Sequence, residues 1–476
     1  MQERPGVPSN RPPYPASTLP DAFVEALRAA LRGDLLVPGD DAYEQARPVY
    51  NAMIQRYPGA IARVADATDV MACVDAARDA HIPLAIRGGG HNAGGLGSVD
   101  GGLVIDLGGL KGIRVDPQAR TVRVEGGCVW GDVDHATHPF GLAVPCGFIA
   151  STGVGGLTLG GGSGYLTRSC GLTVDNLLSA DVVLADGRLV TASADEHADL
   201  YWALRGGGGN FGIVTSFLFR AHPVKNVIGG PTFWALDKAE DALHGFQALI
   251  ESAPEALGGF FAFTAVPPVP PFPEELHGRT VAAAVWCYNG TQDGFDALVG
   301  PFVAEVEPLL HGAQEMPFPV LQSFFDPLYP AGLQWYWRAD FMPKLTDEAI
   351  SEHARHGSHL PTPFSTMHLY PLNGAAQRIA PDATAYRHRD AFWSQVIVGV
   401  DPDPANAELL RDWTVEYYDA LHPHSTGAAY VNFMMDEGHD RIRATYGENY
   451  ERLSAVKRRY DPDNLFRVNQ NIPPAA

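Results

Sequence analysis

The chain has 476 residues, with 34 basic and 55 acidic side chains and a formal net charge of −21 at pH 7. This length is enough for two or three domains of ordinary size. The acidic balance disfavours a nucleic-acid surface and docking on anionic lipid, because both need clustered Lys and Arg side chains. Glycine is the outlier of the composition, since many of its 51 residues are concentrated in a few clusters.

The cysteines and the N-terminus predict a protein of a reducing compartment. The five cysteines follow no paired spacing, so a disulfide framework is not expected. Residues 1–20 are rich in proline, lack the apolar core of a signal peptide, and are predicted to be a disordered leader. The sequence contains no run of about 18 apolar residues. We therefore expect a cytoplasmic protein with neither a membrane nor a nucleic-acid partner.

Over residues 21–224, short β-branched runs alternate with glycine clusters. One helix is predicted over residues 67–81, because Val70, Val74 and Ala77 recur on one face before Pro83 ends the pattern. Short strands punctuated by glycine turns are predicted at residues 84–86, 103–107, 121–124 and 181–184.

The composition of the rest of the chain changes twice. From about residue 225 to 425 the glycine clusters stop, aromatic side chains become frequent, and longer strands are predicted, including 280–286 and 366–370. Residues 426–476 return to short elements, with a predicted helix over 449–460.

A triple glycine directly follows the predicted strand 84–86, in the sequence Arg87-Gly88-Gly89-Gly90-His91. Consecutive glycines let the backbone adopt positive φ and expose successive N–H groups, which is the geometry of an anion-binding nest. Arg87 adds positive charge beside the nest, and His91 is held against whatever the nest binds. The structural alternative is a tight turn with a capping histidine.

A second cluster, residues 151–164, contains seven glycines. Ordered glycine costs backbone entropy, so this density needs a reason, and close approach of the backbone to a large flat or phosphorylated ligand is the usual one. Leu157 and Leu159 interleave with the glycines, which predicts a packed segment instead of a flexible linker.

Two further patterns do not predict a site. Residues 207–212 match the spaced glycines of a dinucleotide-binding turn, but a predicted helix precedes them and a predicted strand follows, which inverts the required context. The histidines 353, 356 and 359 share a helical spacing, yet no carboxylate or cysteine stands at ligand spacing beside them, so no metal is expected.

The ordered set of motifs resembles the FAD-linked oxidases of the berberine bridge enzyme-like group, within the vanillyl-alcohol oxidase superfamily. The matching segments are residues 87–91, 153–164, 171–176, 205–212, 430–432, 460–466 and 469–473. They span most of the chain in the family's order, and they look closest to bacterial members of secondary metabolism in the enterocin-like branch.

The resemblance implies an α+β fold of two domains. The FAD-binding domain, of the p-cresol methylhydroxylase (PCMH) type, would comprise residues 21–224 and the return segment 426–476. The substrate-binding domain, residues 225–425, would be an antiparallel sheet backed by helices. A monomer or homodimer acting on a small-molecule substrate is expected.

The resemblance further implies bound FAD, covalently attached through His91 to the flavin 8α-methyl group. Many members add a second bond from a cysteine at the position that Ile149 occupies here, and Cys146 lies three residues too early. A single covalent bond is therefore predicted, with Cys146 structural. The predicted cofactor-binding residues are Arg87, Gly88, Gly89, Gly90, His91, Asn92, Thr152, Gly153, Gly155, Gly156, Gly160, Gly161, Gly162, Gly164, Asp175, Asn176, Ile213, Tyr430, Asn432 and Asn469.

The predicted catalytic residues are Tyr430, His368 and Thr152. Tyr430 matches the tyrosine that the family places at the flavin ring, and a period of two would put it beside Asn432 on one face of a strand. It is the predicted base, with packing against the flavin as the alternative. Thr152 matches the family's position beside the reactive face of the flavin, where a small side chain admits O2.

The middle region supplies the predicted substrate pocket. His368 and Tyr370 share one face of the strand 366–370, and Tyr336 and Arg338 share one face of a second wall. An aromatic lining suits a flat or polyketide-like substrate.

The predicted function is hydride transfer from an alcohol, sugar or polyketide-like substrate to the flavin, with O2 as the electron acceptor and H2O2 as product. An oxygenating enzyme that uses a flavin-N5-oxide, prompted by the hydroxyl of Thr152, is the alternative. A flavin-loaded binding protein without turnover and a nicotinamide-dependent dehydrogenase are the more distant alternatives.

Overall fold

The computed structural model describes residues 19–476, so most of the predicted leader, residues 1–18, lies outside the described part. The helices are α1 (Asp21–Ala30), α2 (Tyr43–Ala46), α3 (Ala67–Asp79), α4 (Trp130–Thr137), α5 (Val154–Gly160), α6 (Thr167–Cys170), α7 (Ala198–Leu204), α8 (Ala239–Ser252), α9 (Gln292–Glu305), α10 (Phe318–Gln322), α11 (Asp347–Gly357), α12 (Ala407–Leu421), α13 (His439–Tyr446) and α14 (Tyr450–Tyr460).

The strands up to residue 223 are short, as the glycine-punctuated sequence predicts. They are β1 (Asp34–Leu36), β2 (Ala60–Arg63), β3 (Leu84–Arg87), β4 (Leu103–Asp106), β5 (Ile113–Asp116), β6 (Thr121–Glu125), β7 (Leu142–Ala143), β8 (Leu177–Val183), β9 (Leu189–Ser193), β10 (Ile213–Arg220) and β11 (His222–Pro223). One sheet has the order β1-β2-β4-β3, a second has the order β5-β6-β10-β8-β9, and β7 pairs with β11.

The strands of the middle region are longer and form one large antiparallel sheet. They are β12 (Asn226–Trp234), β13 (Leu257–Ala265), β14 (Thr280–Tyr288), β15 (Leu310–His311), β16 (Gln314–Pro317), β17 (Gln334–Met342), β18 (Thr366–Pro371) and β19 (Trp393–Asp401). The order is β15-β12-β14-β13-β18-β19-β17, with β16 also paired to β12. The mixed helix-and-sheet class and the predicted antiparallel sheet are confirmed.

The two faces of this large sheet pack differently, because side chains alternate along a strand. On β18, Met367 and Leu369 join a core that also contains Leu243 of α8 and Tyr417 of α12. Tyr370 belongs instead to the core that includes Val154 and Phe217 of the first half of the chain. One face is therefore backed by helices, as predicted, and the other looks toward the glycine-rich segments.

The C-terminal segment returns to the first half of the chain, as predicted. Lys457 of α14 is fully buried and donates hydrogen bonds to the carboxylate of Asp461 at 2.5 Å and to the carbonyl of Asn210 at 2.7 Å. The division into domains at residues 21–224, 225–425 and 426–476 stays our proposal.

Within residues 19–476, no helix combines the length and the apolar character needed to cross a bilayer.

Candidate active site

A cavity of about 320 Å³ lies between the large antiparallel sheet and the two glycine-rich segments. This volume falls within the ~300–1,000 Å³ of small-molecule sites. Its walls include Gly88–Gly90, Gly153 and Gly156 on one side, and side chains of β17, β18 and β19 on the other. The two groups of motifs that the sequence singled out therefore meet at one place.

The triple glycine forms one wall of the cavity immediately after β3. Gly90 adopts a φ of +69°, as expected for a nest. The backbone N–H groups of Gly88, Gly89 and Gly90 donate no hydrogen bond to any of residues 19–476. These donors face a cavity, and anionic oxygens of a ligand are their natural acceptors.

Arg87 lines the cavity, but its charge is not free for a ligand. Its guanidinium donates to the carboxylate of Asp106 at 2.8 Å, and both side chains are largely buried. The prediction that Arg87 adds positive charge to the nest is wrong, because β3 and β4 are paired and place Asp106 directly beside Arg87.

The second glycine cluster divides into two parts. Gly153, Gly155 and Gly156, at the start of α5, line the cavity. The predicted contacts of the later glycines with the cofactor are wrong, because these residues allow close packing inside the protein. A Cβ added to any of them would clash with a neighbouring residue. The distances would be 2.0 Å from Gly160 to Asn432, 2.8 Å from Gly161 to Tyr386, 2.0 Å from Gly162 to Thr173 and 1.8 Å from Gly164 to the carbonyl oxygen of Cys146.

His91 lies at the end of the nest and lines the cavity. Its Nε2 lies 3.1 Å from the hydroxyl of Ser151, and its ring stacks on Tyr50 with 3.8 Å between ring centroids. Nδ1 makes no hydrogen bond to the described residues. Burial lowers the pKa of His91 to about 4, so the imidazole is neutral at pH 7 and keeps a nitrogen lone pair available.

Tyr430 also lines the cavity, but not from a strand as predicted. It precedes a 3₁₀ turn, Val431–Phe433, and this turn brings the Asn432 amide to within 2.7 Å of the phenol oxygen. The backbone N–H of Gly162 donates to the same oxygen at 2.6 Å. Burial raises the pKa of Tyr430 to about 12, and the two donors oppose that shift.

Asp175 and Asn176 are structural, and the prediction that they bind the cofactor is wrong. Asp175 forms a buried ion pair with Arg389 at 2.7 Å and accepts from the backbone N–H of Leu172. Asn176 donates to the carbonyls of Cys170 and Leu172. Both side chains hold the turn that follows α6, and neither lines the cavity.

Ile149 and Thr152 line the cavity, whereas Cys146 does not. The thiol of Cys146 is buried and accepts from the Gln322 amide at 3.0 Å. Burial raises its pKa well above the ordinary value for a thiol. The side chain is thus turned into the protein and kept protonated.

The opposite wall is aromatic. His368 and Tyr370 lie on the cavity face of β18, as predicted, with 2.5 Å between His368 Nδ1 and the Tyr370 hydroxyl oxygen. The prediction for β17 chose the wrong face: Tyr336 and Arg338 point away, and Trp335 and Trp337 line the cavity. Arg338 instead approaches Glu437 at 3.6 Å.

Other predicted residues, Asn92, Ile213 and Asn469, do line the cavity. The third glycine cluster also contributes, through Gly208 and Gly209, which the site prediction omitted although the motif 205–212 was recognised. Phe148, Phe433 and Tyr50, which stacks on His91, were missed because an isolated aromatic residue has no sequence signature for a binding role.

The spaced histidines of α11 lie away from this cavity. His353 Nδ1 is 3.0 Å from the Tyr417 hydroxyl oxygen, and His356 stacks on the same ring with centroids 4.9 Å apart. Across residues 19–476, no three His, Cys, Asp or Glu side chains are grouped to hold a metal ion.

Comparison with known proteins identifies the family. Residues 58–193 match the family described as "FAD binding domain", and residues 429–473 match "Berberine and berberine like". The FAD-linked oxidoreductase YgaK of Bacillus subtilis is 33% identical over 94% of this chain and 98% of its own length. The chain belongs to the berberine bridge enzyme-like FAD-linked oxidoreductases. The resemblance to this family that the motifs carry is confirmed, whereas the likeness to the enterocin-like branch stays a prediction.

Solved structures of this family have the same fold. The wild-type BBE-like 1 of Physcomitrella patens superposes with a TM-score of 0.84 at 25% identity, covering 95% of this chain and 99% of that one. Glucooligosaccharide oxidase of Acremonium strictum has a TM-score of 0.83 at 23% identity, covering 95% and 100%. The latter is described with a 6-S-cysteinyl, 8α-N1-histidyl FAD.

The cavity of this FAD-linked oxidoreductase fits the cofactor of its family. The unpaired N–H groups of residues 88–90 suit the pyrophosphate, and the glycine backbones of residues 153–156 leave room where side chains would obstruct a flat ring. His91 offers a neutral ring nitrogen in the same cavity, and Ile149 contributes an apolar side chain to its wall.

Proposed function

We propose that this protein is an FAD-dependent oxidase whose flavin is bonded to His91 alone. The observation that carries the proposal is the position of a neutral, half-buried imidazole in a cavity between two glycine segments. Bound FAD accepts a hydride from a substrate C–H bond and passes the electrons to O2, giving H2O2.

His91 is equipped to attach the cofactor. A neutral imidazole is the nucleophilic form, and the low pKa keeps His91 in that form across the physiological range. Ser151 contacts Nε2, so Nδ1 would be the ring nitrogen that holds the flavin through its 8α carbon. That attachment would exchange a methyl C–H bond and the imidazole N–H bond for a C–N bond, and the two electrons and two protons released would reduce O2 to H2O2.

Tyr430 is the proposed base for the substrate's hydroxyl or amine proton. Its oxygen accepts from the Gly162 N–H and the Asn432 amide, and these donors would stabilise a phenolate as the proton moves. The residue lines the cavity, so a substrate can reach the phenol.

Thr152 is the proposed small residue that leaves room for O2 at the cavity wall. The alternative function, an oxygenating enzyme that uses a flavin-N5-oxide, rests on the hydroxyl group of Thr152. A Thr152→Val variant whose oxidised flavin spectrum equals that of the parent would remove the support for that alternative.

The function is tested by anaerobic reduction of the purified holoenzyme. Alcohols, oligosaccharides and phenolic aromatic compounds are added in turn while the flavin absorbance is followed, and air is then admitted with a peroxide assay. Bleaching by at least one class and recovery in air with H2O2 release are expected. A flavin that no class bleaches, although dithionite reduces it, would instead indicate a flavin-binding protein without turnover.

A further inference from the structure

We propose that the substrate is a neutral, planar aromatic molecule bearing carbonyl or phenolic oxygens, and that His368 donates a hydrogen bond to one of these oxygens. This inference rests on the proposed function and specifies its substrate class. The inference is carried by the aromatic walls of the cavity, by the unpaired Nε2 of His368 in its lining, and by the ion pair that neutralises its one charged side chain.

The walls opposite the glycine segments are aromatic rings in mutual contact. Phe148 stacks on Tyr370 with centroids 4.2 Å apart and an interplanar angle of 21°. Phe433 lies between Tyr370 and Trp337, with centroids 5.8 and 6.0 Å away. Such surfaces bind flat rings through stacking and edge contacts.

The tautomer of His368 follows from its partner. Tyr370 is buried and His368 is half-buried, and burial lowers the pKa of His368 to about 3 and raises that of Tyr370 well above its ordinary value, so both rings are neutral. The Tyr370 hydroxyl has no other acceptor within residues 19–476, so it donates to Nδ1 over 2.5 Å. The neutral imidazole then carries its own proton on Nε2, which makes no hydrogen bond to the described residues and can donate to a ligand.

The charge of the cavity excludes other substrate classes. Within the described part of the chain, Arg87 is the one charged side chain of the lining, and Asp106 neutralises it. A cationic amine would find no carboxylate here. The part of the wall formed by Phe148, Phe433 and Trp337 offers no side-chain acceptor for the hydroxyl groups of a sugar, which need donors and acceptors alike.

The test is calorimetric titration of the oxidised holoenzyme with four probes: 1-indanone, indane, benzylammonium and cellobiose. The first two differ in one group, because 1-indanone has a carbonyl group where indane has a methylene group. We expect 1-indanone to bind about ten times more tightly than indane, because only the ketone accepts a hydrogen bond from His368 Nε2. Benzylammonium and cellobiose should bind more weakly than 1-indanone.

The His368→Phe variant separates the hydrogen bond from the packing. It should bind 1-indanone and indane equally, with the indane affinity within about two-fold of the parent. His368→Gln supplies an amide donor and should restore part of the preference for the ketone. If neither variant folds, the four-probe comparison on the parent protein decides alone.

Equal affinity of the parent for 1-indanone and indane would overturn the inference, as would tighter binding of benzylammonium or cellobiose. The titration needs neither turnover nor O2. Failure of the proposed oxidase function would appear separately, as a flavin that substrates do not bleach or that denaturation releases.

Discussion

Gly89 and Gly153 lie backbone to backbone at the cavity. A Cβ built on Gly89 would lie 2.5 Å from the amide nitrogen of Gly153, and one built on Gly153 would lie 2.4 Å from that of Gly89. The loop after β3 and the loop before α5 can approach this closely only without side chains. This contact fixes the distance between the nest, with His91 at its end, and the glycines that line the rest of the cavity.

Gly153→Ala should therefore separate the two loops and reduce flavin incorporation. The clash is with backbone, which cannot rotate away, so we expect flavin content per protein to fall by more than half. Gly300→Ala is the matched control, because a Cβ there meets nothing within 4 Å in the interior of α9. It should keep full flavin content. Normal flavin content in Gly153→Ala would contradict the argument.

Tyr430 should give the reaction a steep dependence on pH. Its pKa, raised to about 12, makes the phenolate a minor species at pH 7, and that species grows about tenfold per pH unit. The rate of anaerobic flavin reduction at limiting substrate should therefore rise from pH 6 to 10. Tyr430→Phe should be slower by at least 100-fold and nearly independent of pH.

Tyr201→Phe is the control for the loss of a phenol, since Tyr201 bonds the carbonyl of Leu177 away from the cavity. It should keep the pH profile of the parent. A Tyr430→Phe variant that retains the same rising profile would show that another group accepts the proton.

Substitution of Ile149 by cysteine should change the attachment of the flavin, whereas substitution of Cys146 by serine should not. Cys146→Ser should leave flavin attachment unchanged, because the thiol faces Gln322 inside the protein. Ile149→Cys places a thiol at the cavity wall, where it should form a second bond to the flavin. In His91→Ala/Ile149→Cys, retention of flavin after denaturation would reveal that bond. Loss of attachment in Cys146→Ser alone would contradict the single-histidine account.

His353 should make the protein sensitive to acid. Burial lowers its folded-state pKa to about 3, against 6.5 when unfolded, so the unfolded chain binds more protons below pH 6.5. Its stabilising contribution is complete above pH 6.5 and is lost progressively as the pH falls toward 3. Between pH 6.5 and 4.5 this amounts to at most about 3 kcal/mol.

Urea unfolding as a function of pH measures this effect. His353→Phe should have a shallower loss of unfolding free energy between pH 6.5 and 4.5 than the parent. His359→Phe, at an exposed position of the same region, should keep the parent's slope. An unchanged slope in His353→Phe would assign the acid sensitivity to other groups.

Much of the site could be predicted because several of its walls are formed by residues that are close together in the sequence. The triple glycine ending in His91 and the strand with His368 and Tyr370 on one face each predicted the wall that they form. The period of two decided β18, since the apolar Met367 and Leu369 identify the face that packs on helices.

The errors arose where a residue's partner is distant in sequence. Residues 335–337 of β17 are three consecutive aromatic residues, so the sequence pattern marks neither face. Only the packing of the sheet shows that Trp335 and Trp337, not Tyr336 and Arg338, face the cavity. Asp175 was assigned to the cofactor because no sequence pattern indicates its ion-pair partner, Arg389, which lies 214 residues away.

The central claim is tested most directly by mass spectrometry of the denatured, protease-digested holoenzyme. We predict that the yellow colour precipitates with the protein, and that the peptide containing His91 carries the mass of the flavin while the peptide containing Ile149 is unmodified. Release of all the flavin into the supernatant, with an unmodified His91 peptide, would contradict the account.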